Sequence, residues 1–109
     1  METLTHGQVL ARFGHALSDS TRSRLLLALR EAPGYPAELA EALGVSRQSL
    51  SNHLACLRGC GLVVALPEGR RTRYELADAS LAKALANLLE TVLAVDPQAC
   101  DATAEQGCC

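Results

Sequence analysis

Aromatic residues are nearly missing: the chain has no tryptophan, and only Phe13, Tyr35 and Tyr74 among 109 residues. Because 49 % of residues are nonetheless hydrophobic, the core must be aliphatic, built from leucine, valine and alanine, which suits packed helices. Long apolar runs are missing too. No stretch approaches the roughly 18 to 20 residues that span a bilayer, so no membrane-crossing function is expected. The opening METLTHGQVLARFGHAL lacks the basic start and apolar stretch of an export signal. The expectation is a cytoplasmic protein whose thiols stay reduced. Repeats, an internal linker and low-complexity tracts are absent. So are a phosphate-binding glycine loop, a nucleophile–base pairing and paired catalytic carboxylates, and the three histidines are scattered. These absences point away from an enzyme.

The length suits one domain, of a size at which a monomer is marginal and some apolar surface is expected between subunits. Net charge is −2, an unpromising value for a nucleic-acid binder until its distribution is considered. Between residues 46 and 74 lie Arg47, Arg58, Arg70, Arg71 and Arg73 against Glu68 alone, a local +4 that leaves −6 on the rest of the chain. A segregated basic surface can hold phosphate while the acidic remainder maintains solubility.

Apolar spacing predicts a first helix over residues 9–17, with Leu10, Phe13 and Leu17 on one face. SDSTRSRLLLALREAPG predicts a second helix, capped by Ser18 or Ser20 and stopped at Pro33-Gly34. Pro36 opens a short third helix, PAELAEAL, closed by Gly44. Ser46 is the N-cap expected for a fourth, SRQSLSNHLACLRG, which buries Leu50, Leu54 and Leu57 at i, i+4 and i+7. LVVALPEGRRTRYEL follows as two β-rich runs joined by a turn containing Pro67 and Gly69. Ser80 is the expected cap of a last helix, with Leu81, Leu85, Leu88, Leu89 and Val92 in an apolar stripe and Pro97 as its stop.

A short helix, a glycine-containing turn, a capped helix and a hairpin, in that order, make a winged helix-turn-helix: mainly α, with a β-hairpin wing. In that mode the second helix lays its N-terminal residues against base edges in the major groove of double-stranded DNA. Arg47, Gln48, Ser51 and Asn52 have suitable chemistry, since arginine pairs with guanine and glutamine or asparagine with adenine. Arg70, Arg71 and Arg73 at the hairpin can hold phosphate and supply salt-dependent affinity. The bland alternative is a solvated polar helix face beside a charged turn.

ALSDSTRSRLLLAL, AELAEALGVSRQSLSNHLACLRGCGLV and EGRRTRYEL together resemble the ArsR/SmtB family of metal-responsive repressors, from about residue 10 to residue 95. The most specific parts are S-x-H-L, the following L-x-x-x-G-L-V and the Gly-Arg wing. The resemblance implies a homodimer whose first and last helices form the interface. It also implies a palindromic operator upstream of resistance or efflux genes, vacated when an effector binds. Residues 1–97 would then form the DNA-binding and dimerisation domain, and 98–109 a flexible cysteine-containing tail. His53, beside the apolar helix face, reads as a partly buried packing residue rather than a ligand.

Five cysteines remain, an odd number better suited to metal or redox chemistry than to a disulfide frame. Cys56 and Cys60 stand four residues apart on a helix, so both thiols share a face within reach of one ion. Gly59 and Gly61 would leave that helix end free to adjust, and Cys100 could bring a third thiolate from the tail. Thiolates select soft or borderline ions. The plain alternative makes Cys56 a small apolar residue and Cys60 incidental.

LACLRGCGLV is similar to the cadmium- and lead-sensing branch of the family, whose ligands fall on Cys56, Cys60 and Cys100. In that branch the tail cysteine comes from the other subunit. The resemblance therefore implies a soft metal effector, cadmium or lead. Other family sites are missing: YPAELAEAL has no cysteine, and SLAKALANLLETVLAV has no histidine. Nickel and cobalt, which favour harder ligands, are not expected. Cys108 and Cys109 depart from the branch pattern. Auxiliary ligation, a preference for arsenite or mercury, and an idle tail all stay open for them. A thiol redox switch and a constitutive DNA-binding module with structural cysteines also stay open.

Overall fold

The computed structural model describes residues 3–93. Cys100, Cys108, Cys109, the expected stop at Pro97 and the expected boundary after residue 97 lie outside the described residues. The element order is α1 (His6–Leu17), α2 (Ser20–Glu31), α3 (Pro36–Leu43), α4 (Arg47–Gly59), β1 (Val63–Glu68), β2 (Arg71–Leu76) and α5 (Ala79–Leu93). This is the expected winged helix-turn-helix order. Among the described residues no helix is long and apolar enough to cross a membrane.

Local chemistry sets the boundaries, in three places differently from expectation. The first helix starts at His6 because Thr5 and Gln8 form a reciprocal capping box: Gln8 N–H donates to Thr5 Oγ1, and Thr5 N–H donates to Gln8 Oε1. Asp19, not Ser18 or Ser20, caps α2 by accepting from Arg22 N–H at 3.0 Å. Ser18 is already engaged at the end of α1, where its hydroxyl donates to the His15 carbonyl. At α5, Asp78 rather than Ser80 takes the cap role, since Ser80 N–H and Oγ both donate to Asp78 Oδ1. In each case the capping residue precedes the helix by one position, and at α2 and α5 the neighbouring serine is a donor, Ser18 to the end of α1 and Ser80 to Asp78.

The core is aliphatic, as the composition requires. Leu25, Leu26 and Leu29 of α2 meet Leu39 and Ala40 of α3, Leu50, Leu54 and Leu57 of α4, and Val63, Leu85 and Ala16 from the surrounding elements. Phe13 and Tyr74 only flank this cluster. Fully burying one such leucine contributes about 1.5–3 kcal/mol, so three leucines fix which face of α4 points inward.

The hairpin is antiparallel, from Val63 opposite Leu76 to Glu68 opposite Arg71. A two-residue turn at Gly69-Arg70 closes it, with Gly69 at φ 64, a conformation tight hairpin turns reserve for glycine. Pro67 lies within β1 rather than in the turn, facing Thr72. On its other side β2 gains a partner that the sequence did not reveal. Gly34, between α2 and α3, exchanges both backbone hydrogen bonds with Tyr74, at 2.9 and 2.8 Å. The wing is thereby attached to the helical body.

Candidate nucleic-acid interface and metal-binding pair

The turn from α3 to α4 passes through Gly44 at φ 70, and Ser46 caps α4 by accepting from Ser49 N–H at 3.0 Å. Because Leu50, Leu54 and Leu57 face the core, the opposite side of α4 presents Arg47, Gln48, Ser51 and Asn52 to solvent. Gln48 donates to Asn52 across one helical turn at 3.2 Å. The two amides are thus held side by side on the exposed face.

The wing arginines differ from one another. Arg70 lies exposed at the tip, with no ion pair among the described residues. Arg71 lies over the Tyr35 ring, 3.6 Å from its centroid, and pairs with Glu38 of α3. Arg73 pairs with Glu68 at 2.8 Å, while Glu75 lies 3.7 Å from its Nε. That buried Nε has no hydrogen-bond partner, so charge alone links it to Glu75. Tyr35 donates its hydroxyl to Glu68, which pushes the phenol pKa up. The sequence count of wing charge missed this: Glu38 lies outside the counted segment and Glu75 just beyond it. Their pairing with Arg71 and Arg73 leaves Arg70 as the wing cation without an ion pair among the described residues.

At the other end of α4, Cys56 and Cys60 are both half-buried free thiols. The helix proper ends at Gly59 and Cys60 is its C-cap, so the two side chains still lie one turn apart. Hydrogen bonds close this end. Gly61 takes φ 79, its N–H donates to the Arg58 carbonyl, and Leu62 N–H donates to the Leu57 carbonyl. That double bond pattern is a Schellman closure, which requires a left-handed residue at Gly61. Burial pushes the Cys60 thiol up, the neighbouring Cys56 thiol raises it further, and Arg12 and Arg22 offset part of the rise. Among the described residues no group of three or more His, Cys, Asp or Glu side chains is placed to hold a metal. Two adjacent thiols at a hydrogen-bonded helix end suit a soft ion, but they supply only part of a donor set.

His53 stands three residues before Cys56. Its side chain is 19 % exposed and its Nε2 is 3.8 Å from Asp19, so it packs between α4 and the start of α2 as expected. Arg22, three residues after Asp19 on α2, donates to the carbonyls of Ala16 and His15 and so closes α1. The middle of α4 therefore lies against the start of α2, where Arg22 also closes α1.

A third surface is apolar. Leu17, Leu27, Leu85, Leu88 and Leu89 line a groove of about 290 Å³. Leu88 and Leu89 are 39 % and 37 % exposed, and Val9 and Leu10 of α1 are 49 % and 68 % exposed.

A family model described as bacterial regulatory protein, arsR family, matches residues 19–65. The HTH-type transcriptional regulator CmtR of Mycobacterium tuberculosis is 60 % identical over 87 residues, which cover 80 % of this chain and 74 % of that protein. The NMR structure of the cadmium metal-sensor CMTR from Mycobacterium tuberculosis has 54 % sequence identity and a TM-score of 0.68, covering 91 % of this chain and 96 % of that one. A homodimeric winged helix-turn-helix DNA-binding domain from Mycobacterium bovis has 28 % identity and a TM-score of 0.73, covering 86 % of this chain and 91 % of that one.

Proposed function

Because the chain belongs to the arsR family of bacterial regulatory proteins, we propose that it is a homodimeric repressor that leaves its operator when cadmium or lead binds its thiolates. The observation that carries the metal half is the Cys56–Cys60 pair, seated one turn apart at the closed end of the same helix that exposes Arg47, Gln48, Ser51 and Asn52. Similarity to a cadmium sensor supports the choice of ion. The homodimeric relative and the exposed apolar face of α1 and α5 support the dimer.

Cys56 and Cys60 would hold the ion from the helix side, and Cys100, outside the described residues, is the third ligand we assign. Cys108 and Cys109 are auxiliary in this reading. The bound ion supplies a soft, strongly held cross-link between the end of α4 and the tail. What the chain itself contributes is the placement of both sites on one helix: Cys56 and Cys60 at its end and Arg47, Gln48, Ser51 and Asn52 at its start belong to α4, so a displacement at the thiol end would be carried to the reading face. A pair of recognition helices spaced for successive half-sites tolerates little displacement. A coupling of about 1–3 kcal/mol lowers operator affinity about 5- to 150-fold.

The test is an anaerobic titration with cadmium, lead, arsenite and mercury, followed by ultraviolet thiolate-to-metal absorption and proton release. A raised Cys60 pKa means the free thiol carries its proton at neutral pH, so binding must expel it and apparent affinity rises with pH. Cys56→Ser and Cys60→Ser should each remove most of the absorption, Cys100→Ser should weaken it, and changing Cys108 and Cys109 should do less. Dependence on Cys108 and Cys109 alone would favour arsenite or mercury. Operator release by an oxidant, with no metal absorption, would favour the thiol redox switch.

A further inference from the structure

Between the start of α3, the start of α4 and the wing tip is a notch of about 300 Å³, lined in part by Tyr35, Arg47, Ser51, Arg70 and Arg71. Three guanidinium groups and the hydroxyls of Ser51 and Thr72 border it, a set of donors that matches the oxygens of a phosphodiester. The Tyr35 ring lies beneath Arg71, and the Glu38 carboxylate takes its Nη2. A carboxylate presents an arginine with the same kind of acceptor as a phosphate does.

We infer that this notch seats one backbone phosphate of DNA, and that Glu38 serves Arg71 as an internal stand-in for that phosphate until the duplex displaces it. The inference rests on the DNA-binding reading above and adds the regulation of its affinity. Both partners are largely solvated, with Arg71 52 % and Glu38 63 % exposed. An exposed pair of this kind is worth at most a factor of about five, so a phosphate can displace it. Arg73 is held differently, half-buried between Glu68 and Glu75, and stays with the protein.

The exchange has a signature in salt dependence. A cation that neutralises a DNA phosphate releases about one counterion and steepens the salt slope by about one. When Arg71 leaves Glu38 to do so, the freed carboxylate regains a cation and part of the slope is lost. Binding is then weaker, and less salt-sensitive, than the number of wing arginines suggests.

The experiment is fluorescence anisotropy of a labelled mixed-sequence duplex with the full-length, metal-free, reduced protein, between about 50 and 200 mM salt. Glu38→Gln should tighten binding about two- to five-fold at the low-salt end and steepen the slope by a fraction of a unit. Glu41→Gln is the control: it lies on the same helix, is exposed, has no ion pair among the described residues and changes net charge equally. It should tighten binding less and leave the slope unchanged. On an Arg71→Ala background, Glu38→Gln should add no more than the control does. Equal effects of Glu38→Gln and Glu41→Gln, or an undiminished Glu38→Gln gain without Arg71, would overturn the stand-in. If the wild type binds and Arg47→Ala weakens it while the two glutamate variants match, only this inference fails. If the wild type does not bind the duplex at low salt, the DNA-binding reading fails with it.

Discussion

Single residues carry two constraints in this fold that composition conceals. Gly34 must exchange backbone hydrogen bonds with Tyr74 while packed tightly on Leu39, and a Cβ built there would stand 2.9 Å from Leu39 Cδ2 and 3.0 Å from its Cγ. Leu39 is buried and has little room to swing away. Gly34→Ala should therefore destabilise the protein by about 1–3 kcal/mol, the usual cost of overpacking, read as a lower midpoint of thermal unfolding. An unchanged midpoint would mean that Leu39 repacks freely. The sequence showed Gly34 only as the end of α2, because the bridge depends on a strand forty residues away. Gly61 is the second case. Its neighbours suggested looseness at the cysteine end of α4, yet φ 79 there belongs to a hydrogen-bonded closure. Ser46, Gly44 and Pro36, by contrast, were legible because a cap, a left-handed stop and a first-turn proline act within a few residues.

At the scale of elements, legibility followed the range of the interaction. Periodicity found α4 and its buried face, since a leucine stripe reports burial directly. The same stripe in α5 divides in two: Leu85 is 3 % exposed and belongs to the core, while Leu88 and Leu89 remain at the surface. Periodicity cannot separate a core face from a face kept for a partner. The difference yields a clean probe. Leu85→Glu should unfold the protein by burying an unpaired charge, whereas Leu89→Glu should leave a folded chain that no longer dimerises and binds operator poorly. Sedimentation together with circular dichroism separates the outcomes, and a dimeric Leu89→Glu protein would remove α5 from the interface. The wing shows the opposite limit. Its arginines were visible in sequence, but the Arg71–Glu38 and Tyr35–Glu68 contacts each join residues 33 positions apart, and no local pattern announces them.

Over the whole molecule, the proposed reading surface and the thiol pair are two ends of one short helix. The N-terminal half of α4 faces outward, its C-terminal end is clamped, and its buried leucines hold the two in fixed relation. No long pathway is needed between effector and DNA in such an arrangement, only a force at Cys60 that α4 cannot absorb. The most direct measurement is the anisotropy of a labelled operator bound by reduced protein under anaerobic conditions, as cadmium is added to the wild type, Cys56→Ser and Cys60→Ser. The account predicts that all three bind the operator comparably without metal, and that only the wild type releases it, with a loss of affinity within about 5- to 150-fold. Release that persists undiminished in both serine variants would contradict it.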